Sequence, residues 1–184
     1  ADGTITVNGH MTTAAGDITV EALDKEENGV ADRNIVITEN GQLDSGRDLT
    51  MHTYNGGINV TGNTTAKRNM TVTVDNEGDV TFAKNINVTG NVTATTGTGD
   101  INVGEDISAG QDVTMTAGTG DILAGEDITA GGNVTMKVTQ ASNVTVGEAD
   151  GTGNVKAAGD VVIAVQKGDA AVKTSITSTG GSVS

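Results

Sequence analysis

Apolar residues in this chain come in alternating pairs set between short polar corners, and the whole pattern returns after 21 residues. Thr98–Met115 (TGDINVGEDISAGQDVTM) aligns with Thr119–Met136 (TGDILAGEDITAGGNVTM), so Ile101, Ile107 and Val113 recur as Ile122, Ile128 and Val134. One period earlier the same slots hold Val80, Ile86 and Val92. Within Asp100–Gly120 the pairs are Ile101/Val103, Ile107/Ala109 and Val113/Met115, a period of two that marks strands with one buried face. The pairs start six, six and nine residues apart, which gives two tight corners and one wider one. Three strand signals in a fixed period of about 20 residues predict an all-β, three-sided parallel β-helix in which each repeat is one coil.

Stacking the coils puts Val80, Ile101 and Ile122 in one inward column and Val92, Val113 and Val134 in another. A third column, Phe82, Val103 and Ala124, tapers in volume, so close packing demands compensation elsewhere in the interior. Gly104, Gly110, Gly118 and Gly120 fall at corners, where a positive φ is expected. Weaker copies thread outward through Ile58, Thr64 and Met70, through Ile35, Leu43 and Leu49, and through Ile5, Met11 and Ile18. Toward the other end follow Val144, Val155 and Val161, then a degraded turn from Val172 to Val183. The sum is about eight coils of about 21 residues, a rod on the order of 40 Å long at roughly 4.8 Å per strand. Residues 1–184 read as one shaft, interrupted by surface loops at Glu21–Arg33 and Glu148–Gly153.

Composition narrows the options. Of 184 residues 27 are Gly and none is Pro, Cys or Trp, while Tyr54 and Phe82 are the only aromatics. Small aliphatics must therefore fill the interior, and each buried Val or Ile contributes about 1.5–3 kcal/mol. Without Cys there is neither a disulfide scaffold nor thiolate chemistry. A net charge of −14 argues against nucleic acid and against anionic membrane as partners, since both attract basic surfaces. No apolar run reaches the roughly 20 residues of a membrane-spanning helix, so membrane insertion is not expected. Ala1-Asp2-Gly3 and Gly180–Ser184 are in repeat rhythm and look like no solenoid cap. The expectation is an internal piece of a longer rod, or a unit that stacks end to end on itself.

Gly16-Asp17-Ile18-Thr19-Val20, the run Ala109–Ala117 (AGQDVTMTA) and the run Ala130–Met136 (AGGNVTM) resemble the repeats of filamentous haemagglutinin-type adhesins, large bacterial exoproteins exported by two-partner secretion. The resemblance covers most of the chain; Glu21–Arg33 and Glu148–Gly153 depart from it. It implies a right-handed β-helical shaft at the bacterial cell surface or released from it. Such a shaft serves adhesion, biofilm or display of a distal tip, with host or bacterial surface glycans or proteins as partners. It also implies no catalytic residues, and autotransporter passengers share the same texture.

Several residue patterns could carry chemistry. Seven Asn-x-Thr sequons start at Asn59, Asn63, Asn69, Asn87, Asn91, Asn133 and Asn143. Glycosylation is one reading. Yet Asp48, Asp112 and Asp127 occupy equivalent slots before an aliphatic and a Thr, which turn chemistry followed by strand alternation explains. Glu105-Asp106 stacks under Glu126-Asp127, and Asp79, Asp100 and Asp121 form a column, so a Ca²⁺ ladder is conceivable on charge alone. The calcium nonapeptide is absent, and solvated corner carboxylates account for the pattern; no cofactor is expected. His10 and His52 are isolated in the sequence, and no nucleophile–base spacing or phosphate loop emerges. A polysaccharide-binding or -cleaving β-helix would use paired carboxylates, but also aromatic platforms that this chain lacks. An enzyme is not expected. Finally, Thr71/Thr73, Thr93/Thr95 and Thr114/Thr116 rank Thr-x-Thr on one outward face, flanked by His52 and Lys137. That array resembles the ice-binding faces of β-solenoid antifreeze proteins. The plainer account is that Thr combines strand propensity with solubility.

Overall fold

The computed structural model describes residues 4–22, 33–147 and 152–184. Among them there is no helix; the chain winds through three parallel sheets of eight, eight and seven strands. In one turn Ile101–Val103 lies on side one, Ile107–Ala109 on side two and Val113–Thr119 on side three. Every strand pairs with its equivalents one turn away. On side one the leading residues run Ile5, Ile35, Ile58, Val80, Ile101, Ile122, Val144, Ala170. Side two runs Met11, Leu43, Thr64, Ile86, Ile107, Ile128, Val155, Ile176. Side three runs Ile18, Leu49, Met70, Val92, Val113, Val134, Val161, and Val183 adds a single bridge beyond Val161. These are the threads that alternation predicts, weak copies included. Seven turns are complete and two sides of an eighth are present, slightly fewer than the eight coils expected; the last begins at Ala170, two residues ahead of Val172.

The interior is mainly aliphatic, and volume lost on one wall is partly made up on another. On side one the third strand residue shrinks from Phe82 to Val103 to Ala124, while its counterpart on side three grows from Ala94 to Met115 and stays methionine at Met136. All six are buried. A column that narrows on one wall is thus filled from another, as a close-packed interior requires. The few buried hydroxyls have acceptors at the neighbouring corner: Thr53 Oγ1 donates to Gly56 O at 2.7 Å, Ser45 Oγ to Asp48 O at 2.6 Å and Thr96 Oγ1 to Gly78 O at 2.9 Å.

The corner glycines correct the expectation about backbone conformation. Of the four singled out, only Gly120 has a positive φ, +136°. Gly110 and Gly118 are needed because the preceding coil passes too close for a side chain. A Cβ on Gly110 would stand 2.1 Å from Thr89 O, and one on Gly118 would stand 2.1 Å from Gly97 O. Gly104 is different, for a Cβ there would meet nothing nearer than Phe82 O at 3.6 Å.

Two one-residue departures from a strict 21-residue period are absorbed at the end of side three. Thr96 pairs with Val74 but Thr98 with Glu77, and Val138 pairs with Val165 but Ala141 with Lys167. Each mismatch is a bulge that takes up one residue without moving the inward columns. The two larger insertions leave from different corners. The first follows the strand Ile18–Ala22, which includes the first two residues of the expected Glu21–Arg33 loop, and ends at a buried Arg33; residues 23–32 lie outside the described residues. The second lies between the side-one strand Val144–Val146 and the side-two strand Val155–Ala157; of the expected Glu148–Gly153 loop only Thr152 and Gly153 are described.

Two pairs of substitutions test this register. Ile107 is buried between Ile86 and Ile128, whereas Ser108 points outward. Ile107→Asp is expected to lose about 3–5 kcal/mol in chemical denaturation for an unpaired buried charge, and Ser108→Asp to change little; equal losses would show the phase to be wrong. Likewise Gly110→Ala should cost about 1–3 kcal/mol through overpacking, while Gly104→Ala should lie within about 0.5 kcal/mol of the parent.

Candidate functional site

The sequence patterns that suggest chemistry converge on the corners, where they form three ladders of Asp and Asn. Most strands from Met70 onward are preceded by such a residue, and its side-chain oxygen accepts the backbone N–H of the equivalent residue one turn later. Between sides three and one, Asp79 Oδ1 accepts from Asp100 N at 2.8 Å, Asp100 Oδ1 from Asp121 N at 2.8 Å, and Asp121 Oδ1 from Asn143 N at 2.7 Å. Between sides one and two the rungs are Asn85, Asp106, Asp127 and Asn154. Between sides two and three they run from Asp17 through Asp48, Asn69, Asn91, Asp112 and Asn133 to Asp160. The clamp is reciprocal: while Asp121 N donates downward to Asp100 Oδ1, Asp121 O receives Ile101 N at 2.9 Å. A corner leaves the sheet ladder, so its N–H needs another acceptor. Asp and Asn supply one equally well, which is why they alternate freely in the slot.

This geometry settles where the candidate residues sit. Asp79, Asp100 and Asp121 do form a column, and each uses a carboxylate oxygen to hold the backbone of the next turn or, for Asp121, of Asn143. Asp106 Oδ1 accepts from Asp127 N at 3.2 Å, and Asp127 Oδ1 accepts from both the backbone and side-chain amides of Asn154. Glu105 instead meets Lys84 Nζ at 2.9 Å, an ion pair that raises the Lys84 pKa. Glu126 lines a shallow depression with Asn85, Gly104, Glu105 and Asp106. Among the described residues no three His, Cys, Asp or Glu side chains come together as a metal-binding group. His52 Nε2 stands 3.1 Å from Asp75 Oδ1 on the neighbouring strand, off axis for a hydrogen bond. His10 is on the exposed side-two strand of the first turn.

The sequons divide. Asn69, Asn91, Asn133 and Asn143 are ladder rungs, and their side chains are engaged with adjacent turns. Asn59, Asn63 and Asn87 instead lie exposed on strands of sides one and two. The strongest local electrostatic feature is also on a ladder. Asp48 accepts from Arg68 Nε at 2.7 Å and from Asn69 N at 3.1 Å. The hydrogen bonds from the Arg68 guanidinium, helped by the Asn69 amide and opposed by desolvation, lower its pKa from 3.8 to about 2.

The threonine array is longer than alternation in the clearest repeats suggests. Register places Thr19, Thr50, Thr71, Thr93, Thr114 and Thr135 in one outward file of side three. The parallel file reads Glu21, His52, Thr73, Thr95, Thr116, Lys137. Period alone does not align Thr19 with this file, because the insertion after Ala22 shifts it out of phase. Most of the charge lies at the corners instead, so the faces between them are largely neutral.

No protein-family model matches the chain, nor does any curated protein or solved structure.

The ladder predicts how its rungs respond. Asp112→Asn keeps the acceptor for Asn133 N at 2.7 Å and should be nearly neutral, whereas Asp112→Ala should cost about 1–2 kcal/mol in thermal or chemical denaturation. Asp48 predicts a pH dependence with a definite sign. Its depressed pKa means that the Arg68 pair contributes fully above about 3.8, and that the contribution is lost as pH falls from there through about 2. In Arg68→Ala the NMR titration midpoint of the Asp48 carboxyl should rise toward the ordinary value, and the difference in stability between parent and variant should shrink as pH falls below that value.

Proposed function

We propose that this chain is a stretch of the structural shaft of a secreted or cell-surface bacterial adhesin or filament, with no catalysis of its own. The observation that carries the reading is the three-cornered ladder. Most corner Asp and Asn side chains, which could otherwise bind or react, are spent on joining one turn to the next at all three corners. The resemblance of the repeats to haemagglutinin-type adhesins supports the same reading, and so does an uninterrupted stack whose length grows with the number of repeats. Its work is to set reach. Host or bacterial surface glycans or proteins would be engaged elsewhere on the full molecule, and copies of the shaft would meet one another.

The file of six threonines favours a second reading, an ice-binding solenoid. A flat, uncharged face with regular hydroxyls is what it would require.

Repeat number separates the two readings. Inserting ten extra copies of Asp100–Gly120 into the native protein should lengthen it by about 48 Å in electron micrographs and leave cell adhesion intact. Adhesion lost on this insertion would place recognition within these turns and overturn the shaft reading. Thermal hysteresis that grows with the number of inserted Thr-x-Thr turns would assign the face to ice instead.

A further inference from the structure

Side three has a charge pattern that the shaft reading does not use. Across the six strands from Ile18–Ala22 to Val134–Ala141, its two outward files hold twelve residues, nine of them threonine. Only two carry a formal charge at neutral pH, Glu21 in the first turn and Lys137 in the sixth, and both are exposed. They are in the same file, five turns apart, about 24 Å at the usual strand spacing.

We propose that side three is a self-docking surface, on which a second copy of this chain lies antiparallel, related by a two-fold axis along the strands between the third and fourth turns. This operation sends turn one to turn six, two to five and three to four, and keeps each file opposite itself. Glu21 then faces Lys137 of the second copy, and Lys137 faces Glu21 of the second copy, one pair at each end of the interface. Between them threonine meets threonine: Thr50 opposite Thr114, Thr71 opposite Thr93, Thr73 opposite Thr95. A parallel pairing at equal height would set Glu21 against Glu21 and Lys137 against Lys137, so charge selects the antiparallel arrangement.

Shape agrees independently. Just beyond the second file stand Tyr54 in turn two, Asp75 in turn three, and Gly97 and Gly118 in turns four and five. The antiparallel operation brings Tyr54, the one large side chain of this row, over Gly118 of the second copy, and Asp75 over Gly97. At the adjoining corner Arg47 and Arg68 stand in turns two and three, level with the half of the second copy that holds Asp112. The contact area is on the order of 500 Å² per copy from strand spacing and width, which belongs to the weak, reversible class. The docking is independent of the shaft reading, since it needs only the face.

Charge reversal in the full chain tests it. By sedimentation equilibrium at physiological salt, Glu21→Lys and Lys137→Glu should each weaken dimerisation about fivefold or more, and the double variant should return to within about twofold of the parent. The chain has no cysteine, so orientation can be read directly. A mixture of Thr50→Cys and Thr114→Cys proteins should be joined by a short bifunctional thiol reagent, while neither variant should be joined to itself. Links formed only within each single variant would mean parallel packing and overturn the proposal. So would a double variant no better than the singles, or a parent that stays monomeric at millimolar concentration with its circular dichroism unchanged.

Discussion

A coil that leaves one sheet to enter the next must turn its backbone away from the hydrogen-bond ladder, and the amide at the turn then faces the corner of the coil below. Satisfying that amide is the constraint on which the remaining structure depends. An acceptor of fixed length has to project from the residue below, and Asp or Asn provides it at 2.7–3.2 Å along all three corners. Once the corners are pinned at the same height, the strands between them are held in register. The inward residues then stack in columns and the outward ones in files. The close approach of successive corners also forbids a Cβ at Gly110 and Gly118, so the glycines follow from the same requirement.

Burial supplies the driving force, but it would tolerate sliding; the ladder removes that freedom. Wherever Asn stands over an acidic rung, as Asn133 does over Asp112 or Asn154 over Asp127, its side-chain amide adds a second donor to the same oxygen. Stacked carboxylates, as in Asp79, Asp100 and Asp121, lack that second bond and set like charges one strand spacing apart. Alternation of Asp with Asn is thus the better solution, and the corner between sides two and three comes closest to it. The same corner carries Arg68, whose bond to Asp48 offsets charge where Asp48 follows directly on Asp17.

Much of the architecture was legible because side-chain period and burial are directly coupled in a strand. Val80, Ile101 and Ile122 declare their column by spacing alone, and even Thr64 falls in phase though it is polar. What alternation cannot express is contact between coils. Asp112 reads as a turn residue in its own segment; only stacking reveals that it holds Asn133. Gly110 reads as a corner residue of positive φ, although its φ is ordinary and its role is clearance. The bulges near Asp75 and Thr139 were hidden because an extra residue at the end of a long strand leaves both flanking columns undisturbed. Thr19 was lost for the opposite reason, since an insertion moved it out of phase with the threonines it stands beside.

The hydrogen bonds that join successive turns, in the sheets and at the corners alike, all run along the rod. A pull applied to its two ends therefore loads them in tension and not in shear. Within one junction the bonds of three sides share the load, and the junctions themselves are in series. Extension would release one turn at a time from an end, each yielding about 21 residues of chain, so the molecule would lengthen in steps under force and could rewind in the same steps when force is removed.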